Sequence, residues 1–114
     1  MIRATLAADS AHGFMLVTPS GVKGLAFQRR VVTGGVSTNT SGGSGAPPAW
    51  VRVTRSGSTI SAYRSADGVT WTLVGSDSIQ MGATVFAGLA VASHDATQRA
   101  TATFDNVSVT AAAP

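Results

Sequence analysis

Residues 50–74 constrain the fold more than any other part of the chain, because their side chains alternate between closely spaced turns. The segment reads WVRVTRSGSTISAYRSADGVTWTLV, with turn residues Ser-Gly at 56–57 and Ala-Asp-Gly at 66–68. Alternation with a period of two is typical of antiparallel strands that bury one face. The apolar residues assigned to the buried face are Val51, Val53, Ile60 and Ala62. The segment therefore predicts a three-stranded meander.

The rest of the chain extends this pattern into a single all-β domain. Glycine, serine, threonine, valine and alanine dominate its 114 residues, and no long helical periodicity is present. Short runs separated by turns predict an antiparallel β-sandwich of the jelly-roll type, with about eight strands in two sheets. Outside the meander, strands are predicted at 2–8, 13–18, 23–31, 83–93 and 99–109.

Two segments are predicted to lie outside the strands. Residues 33–48 read TGGVSTNTSGGSGAPP, which is too polar and glycine-rich to bury and predicts a long loop. Residues 111–114 are interpreted as the start of a linker, which leaves residues 1–110 as the sandwich domain. The aliphatic and aromatic side chains expected in the core are Val51, Ile60, Leu73, Leu89, Phe104, Phe14 and Phe27.

The basic character of the chain does not identify a nucleic-acid partner. Eight basic residues against five acidic ones give a net charge of +3. The cations are spread along the chain, and no recognition helix is visible. No segment is apolar and long enough to cross a membrane, so neither nucleic acid nor membrane is an expected partner. Cysteine is absent, which excludes a disulfide framework and a thiolate metal site.

The acidic residues argue against catalysis. A glycosidase needs a pair of carboxyl groups across the scissile bond, and this chain has no glutamate. Its aspartates all fall at predicted turns or strand ends, and no serine elbow or phosphate-binding glycine loop is present. His12 and His94 lack a third metal ligand at a suitable spacing. We expect a protein without enzymatic activity and without a required cofactor.

The side chains that alternate with the predicted core place aromatic rings beside arginines. Sugar rings stack their apolar faces on flat aromatic groups, and arginine or glutamine donates in-plane hydrogen bonds to hydroxyls. Small residues at 88, 90 and 92 are predicted to form the floor of a groove. Its predicted lining residues are Trp50, Tyr63, Gln28, Arg30, Arg52 and His94. In an alternative interpretation, Trp50 packs under the long loop and the arginines only solubilise the sheet.

Three further residues receive local roles. Trp71 follows a tight turn and is expected to pack in the core or against its own hairpin. Asp67 is expected to hold that turn through local backbone hydrogen bonds. Asp105 and the adjacent Asn106 offer the oxygen ligands that Ca²⁺ prefers, which makes Asp105 the candidate for a structural calcium site. Alternatively, Asp105 caps a bulge or faces solvent.

Five segments spread over nearly the whole chain read MIRATLAADSAHGFM, GLAFQRR, WVRVTRSGSTISAYRSADGVTWT, GLAVASH and ATFDNVSV. Together they resemble a family of bacterial secreted proteins in the concanavalin A-like lectin/glucanase superfamily. The resemblance implies a laminin-G-like jelly roll that binds a glycan, without fixing which glycan, beside an attached polysaccharide-degrading enzyme. We expect the ligand to be a polysaccharide such as cellulose or a related β-glucan, and the enzyme to be a glycoside hydrolase. It also implies secretion, although residues 1–10 lack the apolar run of a signal peptide.

Members of this family carry further strands ahead of the segment matched by residues 1–3. The resemblance therefore implies a shortened sandwich, or an open one that another chain completes. An exposed strand edge invites pairing and favours a homo-oligomer. Two functions stay open at this point: a carbohydrate-binding module, and a structural or oligomerisation module without glycan binding.

Overall fold

The computed structural model describes residues 1–110, and the predicted linker at 111–114 lies outside the described residues. Residues 1–110 form eight strands, separated by turns and irregular segments, in two antiparallel sheets. The strands are β1 Ile2–Arg3, β2 His12–Val17, β3 Leu25–Arg30, β4 Ser37–Ser41, β5 Trp50–Ser56, β6 Thr59–Ser65, β7 Thr72–Ser78 and β8 Phe86–Ala87. The predicted all-β sandwich of eight strands in two sheets is confirmed.

The two sheets are built mostly from strands that neighbour one another in the chain. One sheet has five strands in the order β4-β3-β2-β1-β8, and the other has three in the order β5-β6-β7. Packing between the sheets places β5 and β6 over β2, and β7 over β3 and β4. The core therefore lies between β2–β4 and the three-stranded meander.

The core forms because alternate residues of facing strands point into the same layer. Met15 and Phe27 are cross-strand partners in the five-stranded sheet, and both are buried. Ile60 and Ala62 of β6 are fully buried against them. Gly13 makes this close approach possible, because a Cβ there would lie 2.7 Å from Ile60 Cγ2. The other buried apolar members of this cluster are Ala11, Leu25 and Ile79.

Arginine side chains tie the margins of the core together. Arg29 in β3 bonds through Nε to Asp77 Oδ2 in β7 at 3.0 Å, which links the two sheets. Its Nη1 also donates to Thr40 Oγ1 at 2.6 Å, and its guanidinium lies 4.7 Å from the Phe27 ring centroid. Arg64 likewise donates to the carbonyls of Gly42 and Ser44 in the loop after β4. These arginines are structural, a role that the spacing of charges alone did not indicate.

The predicted core was only partly right. Ile60 is fully buried, but Val51, Leu73, Leu89 and Phe104 expose 40%, 54%, 58% and 45% of their surface. Leu73 is turned outward by a bulge: it pairs with Tyr63, whereas Gly75 pairs with Ala62, so the alternation of β7 shifts by one residue. Val51 lies on β5, the edge strand of the three-stranded sheet. Phe27 is buried as predicted, and Phe14 is partly exposed.

Two predicted strands are largely absent from the structure, and one unpredicted strand is present. Only Phe86–Ala87 of the predicted strand at 83–93 is paired, and residues 99–109 form no strand. The pairing of β8 with β1 ends early because β1 consists only of Ile2–Arg3. Beyond it, the flanking Met1 exchanges backbone hydrogen bonds with Gly88. Conversely, β4 forms inside the predicted loop at 33–48, as a polar edge strand beside β3.

Candidate functional site

The turn between β6 and β7 is a rigid unit held by Ser65 and Asp67. Ser65 Oγ accepts hydrogen bonds from the amides of Asp67 at 3.2 Å and Gly68 at 2.8 Å. Asp67 Oδ1 accepts from the amides of Val69 at 2.8 Å and Thr70 at 2.9 Å. Gly68 supplies the left-handed conformation, with φ of 76°. The predicted role of Asp67 in holding this turn is confirmed.

The hydrogen bonds of this turn also set its response to acid. The amides of Thr70 and Val69 and the hydroxyl of Ser65 stabilise the ionised carboxylate, which lowers the pKa of Asp67 below its ordinary value. The turn is therefore held most firmly when Asp67 is charged.

Two indole rings pack around this turn. A Cβ placed on Gly68 would lie 2.7 Å from Trp50 Cε2, so the ring of Trp50 rests directly on the glycine backbone. Trp71 stands edge-on to Trp50, with ring centroids 6.4 Å apart and planes at 87°. Arg52 lies over the Trp71 ring, with its Cζ 3.9 Å from the ring centroid. Tyr63 is the cross-strand partner of Arg52. We call Trp50, Arg52, Tyr63 and Trp71 the ring platform.

The guanidinium of Arg52 differs from those that bind other parts of the protein. Within residues 1–110, its N–H groups have no hydrogen-bond partner, although its Cζ lies 3.9 Å from the Trp71 ring centroid. By contrast, Arg55 donates to the Met81 carbonyl at 2.8 Å, and Arg64 donates to two loop carbonyls. Arg52 thus combines a fixed position with donors free for a ligand.

The sheet surface next to the ring platform carries hydroxyl groups. Thr54 pairs with Ser61, and Ser61 pairs with Ser76, so these three side chains form a row across β5, β6 and β7 on the same outer face as Arg52 and Tyr63. Thr54 and Ser76 are exposed, and Ser61 is partly exposed. The ring platform is therefore continuous with a row of hydroxyl groups that can form hydrogen bonds.

Three of the six predicted groove residues lie on one face of one sheet, and the other three lie in other elements of the chain. Trp50, Arg52 and Tyr63 share the outer face of the three-stranded sheet. Gln28 and Arg30 lie in β3 of the five-stranded sheet, where they are held by protein partners. Gln28 Nε2 donates to Asn39 Oδ1 at 3.2 Å, and Arg30 donates to loop carbonyls, including that of Gly35 at 3.0 Å.

His94 lies in the irregular segment after β8, is exposed, and has a left-handed backbone with φ of 59°. An open cleft of about 2380 Å³ runs along this segment, and Gln28, Trp50, Arg52 and His94 are among the residues that line it. Arg30 and Tyr63 are outside that lining. The predicted groove floor at 88, 90 and 92 belongs to the same exposed segment.

Trp71 is the member of the platform that sequence reasoning assigned differently. It was predicted to pack in the core or against its hairpin, and it is partly exposed beside Trp50 and Arg52. The short turn between β6 and β7 could have indicated this position. Trp50 pairs with Ser65 at the end of β6, and a short turn after Ser65 keeps Trp71 close to Trp50.

The candidate metal ligands are dispersed in the described part of the chain. Within residues 1–110, no three histidine or aspartate side chains converge on a common point. Asp105 is exposed, and its Oδ1 accepts a hydrogen bond from Asn106 Nδ2 at 3.4 Å. Calcium binding at Asp105 stays a prediction. His12 is partly buried in β2, where burial lowers its pKa and Nδ1 lies 3.1 Å from the Ser10 carbonyl oxygen.

Comparisons with protein families, curated proteins and solved structures found no match for this chain. Among residues 1–110, no helix is long and apolar enough to cross a membrane.

Replacing Asp67 with alanine is expected to loosen the turn and separate the two indole rings. The Val69 and Thr70 amides would lose their acceptor, and the edge-on contact of Trp50 with Trp71 depends on this turn. Near-ultraviolet circular dichroism at neutral pH should show a weaker tryptophan signal. Asp95→Ala is the matched control, because Asp95 organises a separate exposed turn through Thr97. An unchanged signal in Asp67→Ala would contradict this role.

The same carboxylate predicts a loss of stability in acid. The folded-state pKa of Asp67 is lowered relative to the unfolded value of about 3.9. Its ionised form therefore contributes stability above that unfolded value, and the contribution is lost as the pH falls through the lower folded-state pKa. We expect Asp67→Asn to reduce the fall of the thermal midpoint as the pH is lowered. A fall as steep as in the unsubstituted protein would contradict this.

Proposed function

We propose that this chain is a non-catalytic carbohydrate-binding module that holds a polysaccharide, in particular a β-glucan, on the ring platform. The carrying observation is Arg52, whose Cζ lies 3.9 Å from the Trp71 ring centroid while its donors have no protein partner within residues 1–110. A fixed planar donor beside aromatic rings suits a ligand that is flat, apolar on its faces and rich in hydroxyls at its rim.

The proposed binding uses two kinds of group on the ring platform. The aromatic rings accept the C–H face of a sugar, and Arg52 donates hydrogen bonds to hydroxyls in the plane of the ring. The hydroxyl row of Thr54, Ser61 and Ser76 extends the polar surface along the sheet and supports a neighbouring sugar of the same chain. An open site exchanges water contacts for ligand contacts and must order the glycan, so affinities of about micromolar to millimolar are expected.

In the parent protein, such a module keeps an attached glycoside hydrolase close to its insoluble substrate outside the cell. The increase in local concentration requires only modest affinity, because the enzyme and the module act on one polymer. A weak, open site is therefore compatible with this role.

Calorimetric titration with soluble glucans tests the proposal. Trp50→Ala and Arg52→Ala should each weaken binding about tenfold, which corresponds to the loss of about 1.4 kcal/mol from a stacking or cation–π contact. Arg52→Lys should recover only part of the affinity, because an ammonium group cannot reproduce the planar fork. Gln28→Ala is the matched control, since Gln28 lies in the other sheet.

Three outcomes would overturn the proposal. Unchanged affinity in both Trp50→Ala and Arg52→Ala would remove the ring platform from the site. A loss of affinity in Gln28→Ala alone would move the site to the five-stranded sheet. Absence of binding to every glucan in affinity electrophoresis would reject the proposed ligand class.

A further inference from the structure

Residues 89–110 have a strand-like pattern but almost no backbone partners in the described chain. After the hydrogen bonds between Gly88 and Met1, the remaining backbone pairing in this segment is a turn from Gln98 N to Asp95 O at 3.0 Å. Large apolar side chains in this part of the chain are at least 45% exposed: Phe86, Leu89, Val91, Phe104, Val107 and Val109. Peptide groups and apolar side chains left in this state favour association with another strand.

Asn106 interrupts the strand-like sequence pattern in the second half of this segment. Asn106 has a left-handed backbone with φ of 51°, which is the conformation of an extra residue in a bulge. A bulge at Asp105-Asn106 places Phe104, Val107 and Val109 on one face of an extended chain. Without it, Phe104 would face away from the two valines. Residues 99–109 thus offer one continuous apolar face.

The sandwich has a place for such a strand. β5 is the end strand of the three-stranded sheet, and its outer edge is unpaired. The cleft of about 2380 Å³ runs along this strand and is lined by Val51 and Val53, and residues 98–110 of the same chain bound its other side without pairing with β5. A strand added beside β5 would pair with that edge and cover the exposed flank of the apolar layer.

The accessible surface of the chain shows how much contact is missing. The chain exposes 7573 Å², whereas a compact monomer of 11.4 kDa is expected to expose about 5800 Å². The excess of about 1800 Å² per chain exceeds the roughly 800 Å² that each partner buries in a standard interface, and it falls in the range of obligate homodimers. The surplus is large enough for a stable dimer.

We propose that two copies of this chain exchange residues 99–109, each adding this segment to the β5 edge of its partner. The second copy is the occupant because each chain carries both complementary parts, and within one chain residues 98–110 lie along the cleft without pairing with the β5 edge. In a twofold exchange, residues 99–109 of each chain pair with the β5 edge of the other chain. Both β5 edges are then paired, so the assembly closes as a dimer. Trp50 and Arg52 of the ring platform line the same cleft, so the exchange is tested on protein without glycan.

Hydrogen exchange and mass measurements on the full chain test this proposal. Light scattering should give twice 11.4 kDa at high concentration. Amides of residues 99–109 should become protected as the protein is concentrated from about 1 μM to about 100 μM, because only an intermolecular strand depends on concentration. Protection of this segment in a protein that light scattering shows to be a monomer would mean that the segment folds back within one chain, and would overturn the exchange.

Lysine substitutions separate the apolar face from general changes in charge. Val107→Lys and Val109→Lys should prevent dimerisation, since each buries a charge in the cleft. Ser108→Lys adds the same charge to the opposite face of the same strand and should leave the dimer intact. A monomer at all concentrations, or equal effects of the three substitutions, would overturn the proposal. Thermal melts of each variant would confirm that the sandwich itself still folds.

Discussion

Replacing Phe27 with alanine is expected to reduce the free energy of unfolding by about 3–5 kcal/mol, the usual range for a buried phenylalanine. Phe27 is fully buried at the centre of the layer between the sheets. Its ring also lies 4.7 Å from the guanidinium of Arg29, so the substitution removes a cation–π contact as well as apolar packing. The core has few large side chains that could relax into the cavity.

Urea unfolding followed by tryptophan fluorescence would measure this loss. Phe104→Ala is the matched control, because it deletes the same atoms from a residue that is 45% exposed. At concentrations where the protein is monomeric, this control should cost less than about 1 kcal/mol. Equal costs at the two positions would show that residue 104 belongs to the same core and would contradict the described packing.

Replacing Gly24 with alanine is expected to destabilise the fold by about 2–4 kcal/mol through backbone strain and lost hydrogen bonds. Gly24 has φ of 62°, and a Cβ there would lie 2.0 Å from the Gly43 carbonyl oxygen. That carbonyl accepts a hydrogen bond from the Leu25 amide at 3.0 Å, and the Gly42 amide donates to the Leu25 carbonyl at 2.7 Å. The substitution must push these two segments apart where β3 begins.

Gly21→Ala provides the comparison for this prediction. Gly21 lies in the same loop, and a Cβ there would meet no atom within 4 Å. Its replacement should leave the stability unchanged or raise it slightly, because alanine restricts the unfolded chain. Similar unfolding midpoints for the two variants in urea would contradict the close contact between Gly24 and Gly43.

The sequence pattern predicted the paired strands well where both partners are short and adjacent. β5 and β6 alternate without interruption, and the Ser56-Gly57 turn sets their register, so Ile60 was correctly assigned to the core. β7 was only partly predicted, because the bulge opposite Ala62 and Tyr63 depends on pairing and has no marker in the sequence. Residues 99–109 alternate like a strand, yet a strand requires a partner, which alternation alone does not provide.

The candidate site shows a related limit. Alternation tells which side chains point out of a sheet, but a sandwich has two outer faces, and the pattern does not say which face a residue joins. Trp50, Arg52 and Tyr63 lie together because β5 and β6 pair in register. Gln28 also points outward, but from the opposite sheet. The contact between Arg52 and Trp71 depends on the third strand and could not be predicted from residue spacing.

The most direct test of the ring platform is a nuclear magnetic resonance titration of the protein with a soluble β-glucan oligosaccharide. The indole N–H signals of Trp50 and Trp71 and the guanidinium signal of Arg52 should shift together, with a common affinity. Signals of Gln28 and Asn39, on the other sheet, should stay in place. Shifts confined to Gln28 and Asn39, or no shifts at saturating oligosaccharide, would contradict glycan binding by this surface.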